Sequence, residues 1–436
     1  MRIAIIGAGA LGSAIGGALA TGGADVLLVT RNRAHVDAVN ANGLLMRIDG
    51  EDRTARLAAA LPQDAREPVD LAIMLAKSFH TEQAMRDAIA LVGPKTTVLS
   101  LQNGLGHEET LARVVGAEKV IAGKTYAGGV FLAPGHVIAG VNGKETIIGE
   151  LDGVRSARVA AIADVFARAG LDLRLSDDIR GVMWDKLLVN VATGALAAIT
   201  RLTYGDLYRV PEIEATALAA VREALEVARA EGIALATSDP RAAWEKARAG
   251  LPAAFKTSML QSLEKGSVTE IDFVNGAVVR AGARLGVPTP VNATLVACVK
   301  GAERALAATP SAKGAYLEHA AIFVRDLAWH IRFLETVCGW RVRQIDGDAD
   351  APRQVWLGGA QLISAPQFDG TEGRVNHIGL RCADVEAAIE AAFAFEGVGH
   401  LPKGRNWLTL PEGLIVELLP ASAAAVGVAL TVRPDL

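Results

Sequence analysis

The segment GAGALG, at residues 7–12, constrains the fold of this chain more than any other stretch. It directly follows the short apolar run RIAII and opens the helix-like run LGSAIGGALATGG. In a βαβ unit, glycines at this spacing allow a tight turn and let a pyrophosphate approach the helix N-terminus. The strand-like segments DVLLVTR, VDLAIMLA and TTVLSLQNG continue the alternation. The sequence therefore predicts a parallel α/β domain that binds a dinucleotide over residues 1–176.

The same N-terminus also has features of a secretory signal, because a positive start precedes an apolar middle and small residues. The glycine spacing and the second strand-like run favour the βαβ interpretation. We find no run of 18 or more apolar residues and expect no membrane span. The three cysteines are far apart and form no metal-binding or disulfide pattern, which favours a reducing cytoplasm.

The length of the chain indicates how many domains it has, and its net charge limits the classes of partner. A chain of 436 residues predicts two to four domains. The formal net charge of −4 at pH 7 gives no support for binding to nucleic acid or to an anionic membrane. We therefore expect neither as a partner.

The end of the second strand-like run indicates which dinucleotide binds. An acidic residue at this point accepts a hydrogen bond from the ribose 2′-hydroxyl of NAD. This chain has Thr30, Arg31, Asn32 and Arg33 instead. Because an arginine can pair with a 2′-phosphate and stack on adenine, the sequence favours NADP(H). The alternative is a solvated basic turn.

Two polar residues follow later strands. Lys77 lies in LAKSFHT and Asn103 in LQNGLG, each just past a strand-like run. Open α/β sheets bind ligands in the crevice at the carboxyl ends of their strands, so both residues are candidates for cofactor contact. Asn103-Gly104 could equally be a plain turn dipeptide.

Residues 177–308 are predicted to be mostly helical. The apolar run VMWDKLLVNVATGALAAIT contains Lys186, and Asn190 lies one turn later on the same helical face. One interpretation has Lys186 lying along apolar surface with its ammonium in water. The other gives the lysine a chemical role in a cleft.

A later segment of this region, TEIDFVNGAVVRAGARLGVPTP, is predicted to be one long helix that ends at Gly286 and Pro288. At its start, Ser267 and Glu270 in SVTE fit a capping box, in which the glutamate accepts from backbone N–H groups. Glu270 therefore has a structural interpretation beside any chemical one.

Six segments together carry a family resemblance: GAGALG, LQNGLG, DKLLVN, TSMLQ, TEIDFVNG and GVPTPVN, in this order along residues 1–308. In this combination the chain resembles the ketopantoate reductase family. That family uses NADPH to reduce 2-dehydropantoate to pantoate, a step of pantothenate biosynthesis. It has a Rossmann domain followed by an all-α domain, with the active site between them. The resemblance implies an NADP-dependent oxidoreductase that acts on a 2-keto acid and forms a homodimer.

The resemblance also implies roles for individual residues. Lys186 matches the catalytic lysine, which would stabilise the developing alkoxide and donate a proton, and Glu270 matches an acidic catalytic residue beside it. Partial burial is expected to lower the pKa of Lys186. The implied substrate-binding residues are Asn103, Lys186, Asn190 and Ser258. The implied cofactor-binding residues are Gly7, Ala8, Gly9, Ala10, Leu11, Gly12, Arg31, Lys77, Asn103 and Gly129.

Two positions depart from the family pattern. Gly194 occupies the place where the family often has a second asparagine, and Tyr204 replaces an asparagine in the segment TYGDL. A site without these hydrogen-bond partners should discriminate less well or prefer another substrate. Opine-type and other 2-hydroxy-acid dehydrogenases are the nearest competing assignments.

The chain continues beyond residue 308 with an internal duplication. After a linker-like stretch with Pro310 and Gly314, LEHAAIFVRDLAWHIRFLE and VNHIGLRCADVEAAIEAAF share a histidine, a short strand, an aspartate and a helix. Short strand-like runs follow each copy and predict the order βαβββ twice. This architecture resembles the vicinal oxygen chelate superfamily, which includes glyoxalase I and extradiol dioxygenases.

In that superfamily the first and last strands of each module hold a metal. The matching residues here are His319, His377 and Glu417, whereas the place near Ser364 in the first module has no carboxylate. Two histidines and one carboxylate form a donor set for a divalent metal such as Fe(II) or Mn(II). The alternative is a module without metal that dimerises or caps a site.

We therefore predict an α/β protein with three domains. They are a Rossmann domain over 1–176, an all-α substrate and dimerisation domain over 177–308, and an α+β domain of two βαβββ modules over 317–421. Two other hypotheses remain at this stage. One is a nucleotide-binding scaffold without chemistry, and the other is a bifunctional enzyme whose third domain acts on the same or the next metabolite.

Overall fold

A computed structural model describes residues 1–308, 315–338, 340–348, 350–367, 375–410 and 415–422. The chain forms two compact units. The first consists of Met1–Gln261 and Val268–Gly301, and the second of Ser262–Ser267 and Ala302–Leu436. The predicted linker residues Pro310 and Gly314 lie outside the described residues.

Strands and helices alternate in the N-terminal part of the first unit. Its elements are β1 (Arg2–Ile6), α1 (Ala10–Thr21), β2 (Asp25–Val29), α2 (Arg33–Asn42), β3 (Leu44–Ile48), β4 (Glu51–Ala55), β5 (Ala58–Ala60), β6 (Val69–Met74), α3 (Thr81–Asp87), β7 (Val92–Ser100), α4 (His107–Val115), β8 (Val120–Thr125), β9 (Gly128–Ala133), β10 (His136–Gly140), β11 (Thr146–Gly149), α5 (Ala157–Arg168) and β12 (Leu173–Leu175). Short 3₁₀ helices include Ser78–His80 and Ala117–Lys119.

The main sheet has the order β12-β11-β8-β7-β6-β1-β2-β5. Strands β5 to β8, β1 and β2 are parallel, and only the β8–β11 pair is antiparallel among these described ladders. Ile3 and Ile5 pack into one core cluster, whereas Ala4 and Ile6 pack into another. Helices thus cover both faces of β1, as a parallel sheet requires. This is the predicted Rossmann-like arrangement, and the strand order reverses at the carboxyl end of β1.

The following helices are α6 (Ile179–Thr200), α7 (Tyr204–Leu207), α8 (Pro211–Ala230), α9 (Pro240–Arg248), α10 (Ser258–Glu264), α11 (Asn275–Leu285) and α12 (Pro290–Ala308). Helix α6 begins where the Asp178 side chain accepts a hydrogen bond from the Gly181 N–H at 2.9 Å. It packs against α8 and α9. The helical region therefore has a long central helix, which carries Lys186.

Helix α6 is long and apolar enough to cross a membrane, although we expected no such run. However, 67% of its most apolar window is buried inside the structure, as in the core helix of a folded protein. Leu187, Leu188 and Val191 have no exposed surface. No other helix in the described part of the chain meets the same criterion.

The long helix predicted over TEIDFVNGAVVRAGARLG is wrong in one respect. The segment forms a 3₁₀ turn, Ile271–Phe273, and a separate helix α11, with Val274 in a non-helical conformation between them. The Phe273 carbonyl accepts from the Leu105 N–H at 3.0 Å, so a bond to a distant loop replaces the helical one. The predicted end is confirmed, since Gly286 caps α11 with φ +71°.

The second unit contains the predicted repeat. Its elements are β13 (Ala315–Val324), α13 (Leu327–Cys338), β14 (Val342–Gly347), β15 (Pro352–Leu357), β16 (Ala360–Ser364), β17 (Val375–Cys382), α14 (Val385–Phe393), β18 (Gly399–His400), β19 (Trp407–Thr409) and β20 (Ile415–Pro420). The sheet order β14-β15-β16-β13-β17-β20-β19-β18 repeats one pattern on each side of its centre. Asp326 and Asp384 accept from the backbone N–H groups of Trp329 and Ala387, at 2.8 and 2.9 Å, and cap the two helices alike.

Candidate active site

The glycine-rich turn after β1 forms an open cradle. Gly7 has φ +93°, and any β-carbon there would overlap the backbone of Ala76. A β-carbon on Gly12 would lie 2.7 Å from the Gly7 carbonyl oxygen. Gly9, in contrast, has open space above it. The turn is therefore packed from below and free on the side where the helix N-terminus of α1 could receive a phosphate.

A cavity of about 690 Å³ lies above this turn. Its lining includes the predicted residues Gly7, Gly9, Ala10, Leu11, Gly12, Arg31, Lys77, Asn103, Gly129, Ser258 and Glu270. Ala8 is buried beneath the turn instead, and its N–H donates to the Val29 carbonyl at 3.0 Å. Lys186 and Asn190 are not part of the lining. The structure thus brings most predicted positions to one cavity.

The rim of the cavity after β2 is basic. Arg31 is exposed and lines the cavity, and it has no ion-pair partner in the described part of the chain. Asn32 caps α2 by accepting from the His35 N–H at 3.1 Å. The guanidinium of Arg31 is therefore available to an anionic group.

Glu270 connects the two halves of the first unit. Its Oε1 accepts hydrogen bonds from the Ser78 N–H, at 3.0 Å, and from the Ser78 hydroxyl. Its Oε2 lies 3.9 Å from Lys77 Nζ. The Ser78 hydroxyl also lies 3.3 Å from the Asn103 carbonyl. The carboxylate thus orders the loop after β6, and through Ser78 the loop after β7, rather than its own turn, so the capping-box interpretation is wrong.

Lys186 does not extend into water. Its Nζ donates to the Thr125 carbonyl at the end of β8 and lies 4.6 Å from the centroid of the Tyr126 ring. Burial lowers the pKa of Lys186 well below its usual value, and the Lys124 ammonium lowers it further. Asn190 is half-buried on the same helix, one turn on. This environment favours a lysine that gives up its proton readily.

The sequence did not point to three buried ionisable residues behind this site. Lys124, on β8, has no exposed surface, and burial lowers its pKa to about 8. Burial raises the pKa of Glu108 to about 7 and lowers that of His107 to about 3. A lysine inside the apolar strand VIAGKT was the available signal for Lys124.

Models of one protein family match this unit. The model described as Ketopantoate reductase PanE/ApbA matches residues 3–153, and Ketopantoate reductase PanE/ApbA C terminal matches residues 178–303. The chain belongs to the ketopantoate reductase family. It is accordingly an oxidoreductase.

Curated relatives agree with this membership. The 2-dehydropantoate 2-reductase of Halobacterium salinarum is 35% identical over 307 residues, which are 70% of this chain and 99% of that protein. The 2-dehydropantoate 2-reductase of Archaeoglobus fulgidus is 34% identical over 309 residues, again 70% of this chain and 99% of that protein.

Solved structures of ketopantoate reductase relatives have the same fold. A PanE/ApbA family ketopantoate reductase from Ralstonia eutropha is 36% identical, with a TM-score of 0.65 over 70% of this chain and all (100%) of that one. D-mandelate dehydrogenase, solved with NADH and anilino(oxo)acetate, is 30% identical, with the same TM-score of 0.65 over 70% of this chain and 100% of that one.

Two positions depart from the ketopantoate reductase pattern. Gly194 has no polar side chain, and the Tyr204 hydroxyl already has a hydrogen-bond partner. A β-carbon on Gly194 would meet only the Met259 methyl group, at 3.5 Å. Tyr204 is buried, and its hydroxyl lies 3.1 Å from Thr193 Oγ1. Neither position offers a free polar group in place of the expected asparagine.

The second unit holds a separate cluster of possible metal ligands. His319 on β13, His377 on β17 and Glu417 on β20 place one donor atom each within 4.8 Å of one another. The two Nε2 atoms are 3.1 Å apart, and His377 Nε2 lies 3.7 Å from Glu417 Oε2. A β-carbon on Gly379 would strike the His319 ring, so glycine at this position makes room for the imidazole.

Neighbouring side chains orient both imidazoles. His319 Nδ1 bonds the Glu318 carboxylate, and His377 Nδ1 lies 2.8 Å from Asn376 Oδ1. Burial, with the His319 charge as a smaller cause, lowers the pKa of His377 to about 4. Both Nε2 atoms therefore face the centre of the cluster, as ligand orientation requires.

Strand register corrects the predicted counterpart of Glu417. Glu417 pairs with Gly379, and the equivalent residue of the first module, Ala321, pairs with Gln361. The counterpart is thus Gln361, three residues before Ser364. It is buried, and its Nε2 donates to Gln354 Oε1 at 2.8 Å. The first module therefore presents an amide where the second presents a carboxylate.

Proposed function

We propose that the first unit reduces a 2-keto acid to a 2-hydroxy acid with NADPH. The observation that carries this proposal is the placement of Lys186, whose ammonium is held by the Thr125 carbonyl and by Tyr126 in an environment that lowers its pKa. A lysine in these surroundings is suited to donate a proton near neutral pH. The dinucleotide-sized cavity beside the glycine turn supports the cofactor half of the proposal.

The residues present fit a nicotinamide dinucleotide. Gly9 leaves space above the N-terminus of α1 for the pyrophosphate, and Arg31 offers a guanidinium to a 2′-phosphate. When bound, the reduced nicotinamide supplies the hydride for the keto carbon. Lys77 and Asn103, ordered through Ser78 and Glu270, would hold the reacting end of the cavity.

The protein's role in the reduction is to stabilise the negative charge that develops on the keto oxygen of the substrate. As the carbonyl oxygen gains negative charge, the Lys186 ammonium stabilises it and then transfers its proton to give the hydroxyl. Asn190 and Ser258 would bind the carboxylate and neighbouring groups of the substrate. Glu270 would fix the position of one half of the site relative to the other through its hydrogen bond from the Ser78 N–H.

The relatives favour 2-dehydropantoate as the substrate, and one observation favours a second candidate. Gly194 and Tyr204 contribute no free polar group, which suits a less polar substrate. The D-mandelate dehydrogenase at 30% identity is named for an aromatic 2-hydroxy acid. We therefore propose aryl 2-keto acids as the alternative class. Opine formation would need an amine as a further co-substrate.

A substrate panel tests the proposal. The full chain is assayed for NADPH oxidation with 2-dehydropantoate, an aliphatic 2-keto acid, an aryl 2-keto acid, and a 2-keto acid plus an amino acid. We expect activity with one of the first three, and a fall of about 10²–10⁴ in kcat for Lys186→Met with cofactor affinity retained. Binding of NADPH without turnover of any member would instead support the scaffold hypothesis.

We further propose that the second unit is a vicinal oxygen chelate module that holds a divalent metal. His319, His377 and Glu417 supply two nitrogens and one oxygen, a set that suits Fe(II) or Mn(II) with open positions. The oriented Nδ1 atoms support this assignment over that of a plain capping module. Such a metal would make the protein bifunctional. A homodimer and a cytoplasmic location complete the proposal.

A further inference from the structure

A second lysine lies behind the reductase site without a part in the chemistry proposed above. Lys124 has no exposed surface, and the one hydrogen bond found for its Nζ in the described structure goes to the Gln102 carbonyl, at 3.4 Å. A buried ammonium is costly unless nearby charge stabilises it. The groups around Lys124 therefore indicate why the fold keeps it.

Titratable groups face Lys124 from several elements. From α4, Glu108 contributes a buried carboxyl group, and His107 is buried against the Phe273 ring with a centroid distance of 5.1 Å. From the segment before the 3₁₀ turn, the Glu270 carboxylate attracts the ammonium. From α6, the Lys186 ammonium repels it.

Charges further out act on these neighbours. Arg280, on α11, faces His107 and favours its neutral form. Tyr126 lies under the Lys186 ammonium, and the negative charge of Asp185 disfavours ionisation of the Tyr126 hydroxyl. Asp185 itself accepts from the backbone N–H groups of Ala236 and Thr237, at 3.1 and 2.9 Å.

The end of β8 links the two lysines. Lys124 immediately precedes Thr125, whose carbonyl holds Lys186. Glu108 and Glu270 help Lys124 to keep its proton, and its pKa is about 8 despite burial. No carboxylate among the described residues supports the Lys186 ammonium in this way, and burial, with Lys124 as a further cause, lowers the pKa of Lys186 well below the ordinary value for lysine. Lys124, with a pKa of about 8, therefore carries its charge at neutral pH.

We propose that Lys124 is a positioning residue of the reductase site, whose fixed charge makes Lys186 a stronger proton donor. Lys124 would not touch substrate or cofactor. Like-charge pairing of lysines in apolar surroundings is a known means of activating one of them. This inference rests on the proposed proton donation by Lys186.

The test compares pH profiles of kcat for the full chain at saturating NADPH and 2-keto acid. Lys186 must be protonated to act, so activity falls as pH rises through its pKa. Lys124→Gln removes the charge but can still donate to the Gln102 carbonyl. Without repulsion, Lys186 holds its proton more tightly, and the alkaline limb should move up by about 1 pH unit. As a weaker acid it should also turn over more slowly at neutral pH, by roughly 3- to 10-fold.

Lys119→Gln is the matched control. Lys119 ends the 3₁₀ helix that directly precedes β8, and its Nζ donates to the Gly93 and Pro94 carbonyls, at 3.2 and 2.9 Å. Lys119→Gln removes one positive charge, as Lys124→Gln does, but at a position outside the cavity lining. The alkaline limb of its pH profile should therefore not move. Lys124→Met serves as a second uncharged variant if the glutamine variant is unstable, and NADPH binding confirms folding.

The outcomes separate the inference from the function on which it rests. An alkaline limb that does not move in a folded Lys124 variant would overturn the inference and leave the reductase proposal intact. A wild-type limb at or above the ordinary lysine pKa of about 10.4 would also overturn it, without any variant. A wild-type chain that reduces no 2-keto acid would overturn the proposed function itself.

Discussion

At the scale of single residues, the reductase site depends on how charges are held away from water. Lys186 rests on a backbone carbonyl and an aromatic face, and Lys124 is enclosed beside acidic groups. Glu270 does not cap its own turn but binds the loop after β6, whose Ser78 hydroxyl in turn contacts the Asn103 carbonyl in the loop after β7. Each of these groups is stabilised by an element far from it in sequence.

Arg31 should determine the preference for NADPH over NADH. It lies on the cavity rim with no carboxylate partner among the described residues, where NAD enzymes have an acid. Arg31→Ala should weaken NADPH binding by about 1.5–3 kcal/mol through loss of a charged hydrogen bond and leave NADH nearly unchanged. Titration of cofactor fluorescence measures both dissociation constants.

Arg33→Ala is the matched control for this measurement. Arg33 is also exposed, but it begins α2 and does not line the cavity. Its removal should affect the two cofactors equally and slightly. Equal weakening of NADPH and NADH by Arg31→Ala would argue against a 2′-phosphate contact.

The sequence indicated Lys186 but not Lys124, for a physical reason. Lys186 lies within a long apolar helix, where a lysine stands out against residues such as Trp184, Leu187 and Leu188. Lys124 lies next to the end of a short strand, where a lysine commonly reaches solvent. It is nevertheless fully buried, and Glu108 of α4 and Glu270 lie close enough to act on its charge. The apolar strand VIAGKT indicates a mainly buried strand, but the distant groups that surround Lys124 cannot be predicted from this local pattern.

At the scale of elements, the loop after β7 connects the two parts of the first unit. The Leu105 N–H donates to the Phe273 carbonyl at 3.0 Å, and Gly104 packs directly on Phe273. This contact ends the 3₁₀ turn Ile271–Phe273 and interrupts the helix that the sequence predicted there. Helical periodicity could be predicted from the sequence, but the competing bond from a distant loop could not.

Two glycines in this loop allow the contact to be tested. Gly104 and Gly106 both have φ +96°, but a β-carbon on Gly104 would lie 2.8 Å from Phe273 Cβ, whereas one on Gly106 would meet nothing within 4 Å. Gly106→Ala should cost roughly 1–2 kcal/mol from the backbone conformation alone. Gly104→Ala should cost roughly 1–3 kcal/mol more through overpacking.

Thermal unfolding of the full chain compares the two variants, and NADPH oxidation reports on the site. Because the same loop carries Asn103, Gly104→Ala should also lower turnover more than Gly106→Ala. Similar losses of stability in both variants would mean that the close packing against Phe273 contributes little.

At the scale of the whole molecule, the chain combines a unit of the ketopantoate reductase family with a second, duplicated unit. The family match ends at residue 303, and the repeat of the second unit was predictable because both copies keep a histidine and a capping aspartate at one spacing. The structural equivalence of Glu417 and Gln361 in the two modules was not predictable, since it depends on strand register. The proposed homodimer remains a prediction.

The two chemistries should be separable. Elemental analysis of protein purified without chelator should find a divalent metal in wild type and little in the double variant His319→Ala/His377→Ala, because both nitrogen ligands are lost. NADPH-dependent reduction should persist in that variant. A low metal content that is the same in both proteins would indicate a capping or interaction module instead.

Transfer of deuterium tests the central claim most directly. NADPH that carries deuterium at both C4 positions is mixed with the full chain and the best 2-keto acid of the panel, and the product is analysed by mass spectrometry and NMR. The account predicts a 2-hydroxy acid with deuterium on C2 from wild type, and almost none in the same time from Lys186→Met. Oxidation of NADPH without deuterium in a hydroxy acid, or equal product from both proteins, would contradict it.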